Sequence, residues 1–218
     1  MASPSRTNPP EPRWPAILGL LAVGALFLAI PGSLAVGPRW LLLLLLSLLL
    51  VPTILSRHYK RHALYIFLGH LLSAVMTLFL LLSLGLLIHK LFTHAEPPKS
   101  LLQSGGLLWL ANILVFASWY WRLDAGGPHA RAQRLGHPTG AFLFPQMTQD
   151  NPDAPEDDET PWSPHFIDYL FLAFNTSTAF SPTDTPVLSR WAKFLMLTQS
   201  IISLAITLIL IARAINII

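Results

Sequence analysis

Six apolar stretches, separated by polar segments, make up most of this 218-residue chain. A helix needs about 20 residues to cross the hydrocarbon core of a bilayer, which is roughly 30 Å thick. Five of the stretches reach or approach that length, and the fifth in order is shorter. We therefore predict an all-α, polytopic membrane helix bundle with five full transmembrane helices plus a short fifth-position segment. The six stretches are Pro15–Val36, Trp40–Leu55, Ala63–Ile88, Leu101–Trp121, Phe166–Phe180 and Phe194–Ile211.

The order of these stretches divides the chain into four regions. Residues 1–14 are rich in Pro and Ser and are predicted to be a disordered tail, and residues 15–121 a four-helix transmembrane region. Residues 122–163 form a polar loop, basic at first and acidic afterwards, whose glycines and prolines disfavour a continuous helix. Within it, the apolar patch Phe142–Pro145 is predicted to dock against the membrane region. Residues 164–218 hold the short segment and the last helix.

Composition supports the membrane class. Hydrophobic residues make up 53% of the chain and charged residues only 11%, whereas soluble domains carry about a quarter charged residues. The net charge of +3 does not indicate a nucleic-acid partner, because the basic residues flank apolar stretches, where they set topology and contact anionic headgroups. The lipid bilayer is thus the predicted partner. The absence of cysteine excludes thiolate metal ligands and cysteine nucleophiles.

The distribution of basic residues predicts the orientation. Cytoplasmic loops carry an excess of Lys and Arg. With the N-terminus inside, only Arg39, Lys90 and Lys99 lie outside before the fifth segment. We therefore expect a multi-pass protein of the cell (inner) membrane with a cytoplasmic N-terminus. The basic residues placed inside are Arg6, Arg13, Arg57, Lys60, Arg61, Arg122, Arg131 and Arg134.

The fifth segment has the layout of a pore loop. Between Pro164 and Pro182 lie 17 residues, a length of roughly 25 Å as a helix. A polar turn, 181–184, follows, and then the last apolar stretch. Two interpretations remain: a short spanning helix, or a re-entrant helix followed by an extended turn that lines water or lies in protein. Under the first, 181–184 is an ordinary capped interfacial loop.

The stretch from Phe166 to Asp184 resembles the pore helix and filter of tetrameric potassium channels, in which an aromatic-rich helix leads into Thr-Val-Gly-Tyr-Gly-Asp. In this register Thr178 matches the filter threonine and Asp184 approximates the closing aspartate. The resemblance implies conduction of monovalent cations by a homo-oligomer, in that family a tetramer. No glycine lies between Thr178 and Asp184, there is one extra residue, and Pro182 lacks an N–H. Potassium selectivity is therefore not implied.

A second resemblance covers residues 119–218. This part, including Gly140-Ala-Phe-Leu-Phe-Pro145 and Thr178-Ala-Phe-Ser-Pro-Thr-Asp184, is similar to an uncharacterised family of bacterial multi-pass membrane proteins. That family implies no activity. It does indicate that the C-terminal half is the defining part of the chain.

The residues predicted to line an ion path lie in the turn and along one face of the last helix. Gln199, Ser203 and Thr207 recur every four residues, and such a stripe either joins helices or lines a pore. Two ionisable residues inside apolar stretches are further candidates: His70 for a proton relay or a helix–helix hydrogen bond, and Asp168 for function or for capping its helix. The full ion-path set is Thr176, Thr178, Ser181, Thr183, Asp184, Gln199, Ser203 and Thr207.

The leading hypothesis is a pore-loop-type cation channel, oligomeric because one pore loop cannot encircle an ion. The alternative is a non-conducting membrane protein, either an accessory subunit or a small transporter-like protein using His70 and Asp168. The sequence has no Ser/His/Asp arrangement, phosphate loop or histidine set suited to a metal. We therefore expect no enzyme activity, cofactor or metal site.

Overall fold

A computed structural model describes residues 11–59, 61–93, 96–133, 140–148, 162–181 and 184–215. Within these residues the fold is helical, and a lone antiparallel bridge joins Phe142 to Val187. Short 3₁₀ turns lie at 32–34, 124–126 and 145–147. The all-α class predicted from the sequence is confirmed. The α-helices are α1 (Trp14–Ala29), α2 (Leu41–His58), α3 (His62–Thr93), α4 (Pro98–Leu123), α5 (Gly127–Ala132), α6 (Phe166–Ala179) and α7 (Arg190–Ile215).

Three helical stretches in the described residues are long and apolar enough to cross a membrane: His62–Thr93, Pro98–Ala132 and Arg190–Ile215. The prediction of five full spans is therefore not supported. The first predicted span is cut short because α1 ends at Ala29 after 16 residues, and Pro31 and a 3₁₀ turn follow. The apolar part of α2 ends at Ser56. Both are shorter apolar helices.

Helix α4 lies at the centre of the bundle and packs against α1, α3, α6 and α7. It runs antiparallel to α7, since Asn112 contacts Gln199 whereas the earlier Gly105 faces Leu210. A Cβ at Gly105 would lie 2.7 Å from Leu210 Cδ2, so the small residue allows the two helices to approach closely.

Helices α6 and α7 run in the same direction. Ala173 of α6 is bonded to Gln199 of α7, and further along both helices Ser177 is bonded to Ser203. Their beginnings lie at one level, because Phe142 packs against both Tyr169 and Trp191. Between the end of α6, which is about 21 Å long, and the start of α7, the chain therefore comes back to the level where α6 began.

The structure adds detail at the boundaries of two predicted regions. The tail predicted to be disordered through residue 14 is ordered from Glu11 onward, where Glu11 forms an ion pair and α1 has begun at Trp14. The polar loop contains the short helix α5, which is only six residues long and so agrees with the expectation of no continuous helix there. Gly126 and Gly127, at φ of 80° and 85°, supply the left-handed turn that lets α5 start directly after α4.

Candidate functional site

Gln199 forms the centre of a buried hydrogen-bond network that joins α4, α6 and α7. Its Nε2 donates to the carbonyl oxygen of Ala173 at 2.7 Å and to Ser177 Oγ at 2.8 Å. Its Oε1 accepts a hydrogen bond from the Tyr120 hydroxyl at 2.5 Å. One turn further, Ser203 Oγ donates to the carbonyl oxygen of Ser177 at 2.8 Å. Both N–H donors of Gln199 and one of the two acceptor positions on its Oε1 are thereby used.

This arrangement corrects the predicted orientation of the polar stripe on α7. Gln199 and Ser203 are buried between helices and do not face a path outside the chain; Thr207 is half-buried. Thr176 is also buried and donates to the carbonyl oxygen of Leu172 at 2.8 Å. The periodicity therefore marks a contact between helices, in which small and polar residues hold helices together.

The turn after α6 presents polar groups at the surface of the chain. Phe180 ends α6 in the left-handed region, at φ 54°, a conformation uncommon for residues other than glycine. Thr178, Ser181 and Asp184 are exposed, and Thr178 Oγ1 donates to the carbonyl oxygen of Phe174 at 3.0 Å. Thr183 lies outside the described residues. The turn offers hydroxyl and carboxylate oxygens, which are ligands that a cation can use in place of water.

A second buried polar network fixes the other end of α6. Asp124, directly after α4, accepts the Tyr169 O–H on Oδ2 at 2.6 Å and the Ala141 N–H on Oδ1 at 2.5 Å. Arg131 of α5 donates to the carbonyl oxygens of Trp121 and Asp124, both at 2.9 Å. These contacts join α4, α5, α6 and the segment 140–148 at one end of the bundle.

Glu11 completes this network from the start of the chain. Its Oε2 accepts from Arg131 Nη2 at 2.9 Å, and its Oε1 accepts from Trp121 Nε1. The side chains of Arg131 and Glu11 are only 2% and 7% exposed. No local pattern predicts this ion pair, because its partners lie far apart in the chain, one in the Pro- and Ser-rich tail and one in the polar loop.

The segment 140–148 docks through Phe142, as the sequence predicted. The Phe142 ring packs on Tyr120, Tyr169 and Trp191 with centroid distances of 5.3 to 6.2 Å. Backbone bonds from Leu143 N to Pro186 O and from Leu188 N to Ala141 O hold the returning chain before α7. Residues 141–143 thus determine where the 180–189 connection ends.

The two ionisable candidates, His70 and Asp168, each contact another residue of the chain. His70 stacks on Trp119 with a centroid distance of 6.1 Å. Asp168 Oδ2 accepts the backbone N–H of His165 at 2.7 Å, so it caps the start of α6, one of the two roles predicted for it. Among the described residues, no group of three potential metal ligands occurs.

No protein-family model matches the chain, and no curated protein or solved structure is significantly similar to it. The two resemblances drawn from the sequence therefore stay predictions. A functional assignment rests on the geometry of α6, its turn and α7.

Replacing Gln199 by Leu tests the network that holds α6 against α7. The change leaves the buried Tyr120 hydroxyl without its acceptor, and an unsatisfied buried polar group costs about 1–3 kcal/mol. We expect that loss in the free energy of unfolding, measured by denaturant titration in detergent. Gln103→Leu is the matched control, since Gln103 is exposed on α4; equal losses in the two variants would contradict the assignment.

Proposed function

We propose that the chain is one subunit of an oligomeric, pore-loop-type cation channel in a cell membrane. Helix α6 enters the bilayer, the chain turns after Ala179, and residues 180–189 return to the side of entry before α7 crosses. The observation that carries the proposal is the parallel direction of α6 and α7. A simple helical hairpin would make them antiparallel.

The oligomer follows from the surface of the turn. In the single chain, Phe180 is 43% exposed, and Ser181 and Asp184 are also exposed. Non-helical backbone at membrane depth is stable only where protein covers it or water reaches it. Several copies arranged around a common axis would place these turns against one another and around water.

In such an assembly, hydroxyl and carboxylate oxygens line the constriction. Thr178, Ser181, Thr183 and Asp184 supply them, and Asp184 adds the negative charge that concentrates cations. Gln199 and Ser203 contribute by fixing α6 on α7. Without glycine in the turn, the oxygens belong mainly to side chains, so we propose selectivity for cations over anions rather than for potassium.

The proposed orientation follows from the charges at the helix ends. The described basic residues Arg13, Arg61, Arg122, Arg131, Arg190 and Lys193 lie at the end of the bundle where α1, α3, α6 and α7 begin. The positive-inside rule makes this end cytoplasmic. Helix α6 then enters from the cytoplasm, opposite to the pore helix of potassium channels.

Cation flux into liposomes tests the proposal. Asp184→Asn removes the charge at nearly constant size, and we expect flux to fall by about tenfold or more, because a focused charge raises local ion concentration by that order. Asp184→Glu is the matched control and retains flux. Absence of cation flux from the folded wild-type oligomer would contradict the channel.

The non-conducting alternative, an accessory subunit or small transporter-like protein, has one observation in its favour. The exposed face of α7 is wholly apolar along its membrane part, which suits lipid or another helix better than water. A particle mass in nanodiscs equal to one chain, together with no flux, would favour it. The residues of this face are Phe194, Leu197, Ile201, Leu204, Leu208 and Ile211.

A further inference from the structure

A pocket of about 210 Å³ lies where α3 begins and α4 ends. Tyr65, Ile66 and His70 line it from α3, Arg122 from α4, and His129 from α5. No carboxylate lines it among the described residues. It is separate from the turn after α6, and its chemistry is cationic.

Among the described residues, Arg122 has no counter-ion in this pocket. Its Nε is buried and donates no hydrogen bond within the part of the chain that the structure describes, and its guanidinium lies 5.4 Å from the Trp121 ring centroid. The ionisable groups acting on it are Tyr65 and a second cation, Arg13. A desolvated cation beside another cation is costly unless an anion compensates it.

Two carboxylates described at this end of the bundle, those of Glu11 and Asp124, make other contacts. Glu11 pairs with Arg131 and also accepts from Trp121. Both oxygens of Asp124 are used by Ala141 N and the Tyr169 hydroxyl. The structure thus pairs Arg131 within the chain and leaves Arg122 facing a cavity.

The backbone makes room for the Arg122 guanidinium. Gly69 lies opposite it on α3, and a Cβ at Gly69 would lie 2.3 Å from Arg122 Nη1. Any larger residue there would displace the guanidinium. The space at Gly69 therefore holds the Arg122 head group in its present position beside the cavity.

We propose that this pocket binds a phosphate group, the chemistry shared by an anionic lipid headgroup and free phosphate. The planar fork of Arg matches phosphate oxygens, and helix ends lie at the depth of lipid headgroups. Ile66, which lines the pocket, is 45% exposed, and the next residue of α3, Phe67, is 63% exposed. These apolar side chains favour a lipid as the source, with its acyl chains along α3. The inference does not depend on conduction.

Native mass spectrometry of the full chain from nanodiscs tests the proposal. We expect wild type to retain phosphatidylglycerol over phosphatidylcholine and Arg122→Gln to retain about tenfold less, because hydrogen bonds to charged groups are lost. Arg190→Gln, which removes an exposed arginine at the same end of the bundle, is the matched control and keeps wild-type retention. Gly69→Ala should also lower the retention of phosphatidylglycerol, because its Cβ displaces the Arg122 guanidinium while every charge stays in place. This variant replaces Arg122→Gln as the test if Arg122→Gln does not fold.

Inorganic phosphate separates the two sources. If millimolar phosphate displaces phosphatidylglycerol, or if it stabilises the wild type against unfolding in pure phosphatidylcholine, the site binds free phosphate. If phosphate does not change the retention of phosphatidylglycerol, the site binds lipid. Equal retention by wild type and Arg122→Gln, or by wild type and Gly69→Ala, overturns the proposal. The proposal is also overturned if the wild type does not retain phosphatidylglycerol and phosphate does not change its stability.

Discussion

Glu11→Ala is expected to lower the free energy of unfolding by about 3–5 kcal/mol, the usual cost of leaving a buried charge without its partner. The substitution removes the carboxylate that pairs with the buried Arg131 and accepts from Trp121 Nε1. The loss corresponds to a factor of roughly one hundred to several thousand in the unfolding equilibrium. Equilibrium unfolding in mixed micelles, followed by tryptophan fluorescence and circular dichroism, measures it.

The chain offers a matched control for this variant. Glu96 forms the other ion pair found among the described residues, with Lys90 at 3.8 Å and with Lys90 28% exposed. A partly solvated pair of this length contributes only about 0–1 kcal/mol, so Glu96→Ala should change stability little. Similar losses in Glu11→Ala and Glu96→Ala would contradict the buried network.

A double variant separates charge burial from packing. In Glu11→Leu/Arg131→Met both charges are absent, and replacing a buried pair by apolar residues is often neutral or stabilising. We expect it to regain part of the stability lost in Glu11→Ala. It cannot regain all of it, because Arg131 also satisfies the carbonyl oxygens of Trp121 and Asp124.

The sequence predicted where helices lie better than which of them cross a membrane. Each apolar stretch overlaps one helix. Ala63–Ile88, for example, lies within α3, His62–Thr93. An apolar stretch favours a helix because a helix pairs its own backbone N–H and C=O groups where no water is available. The first stretch, Pro15–Val36, holds a helix too short to be a candidate span, because α1 ends at Ala29, just before the break that Pro31 and Gly32 indicate.

The contacts of the candidate site were not predictable from local patterns. A period of four marked Gln199 and Ser203 as one face of α7, but only the structure shows that α6 covers that face. Glu11 and Arg131 meet across a separation of 120 residues, a pairing that no local pattern encodes. Asp168 was the exception, since a carboxylate three residues after the helix start is a local capping signal.

The two buried networks act on α6 from its two ends. Asp124 holds Tyr169 in the first turn of α6, and Gln199 holds Ala173 and Ser177 toward its last turn. A helix fixed at both ends along α7 cannot swing away to cross the bilayer on its own. The re-entrant course proposed for α6 would depend on these polar contacts, of which those of Gln199 are tested by Gln199→Leu.

Cysteine labelling should give an all-or-none result for this course. His165 precedes α6 and Leu188 precedes α7, and both are exposed. If α6 re-enters, the single variants His165→Cys and Leu188→Cys react with a membrane-impermeant maleimide from the same side, the cytoplasmic one. The chain has no native cysteine, so each signal belongs to one position.

Thr93→Cys completes this experiment as a reference for the other side. Thr93 is exposed at the far end of α3, which crosses from the end where α6 and α7 begin, so it should react only from the periplasmic side. Helix α6 as a full span would put His165 and Leu188 on opposite sides, and labelling in that pattern would contradict the re-entrant hairpin. If both positions are labelled from the periplasmic side, the result would instead support the hairpin and contradict the orientation that the basic residues indicate. The three positions therefore test the hairpin and its orientation separately, before any ion flux is measured.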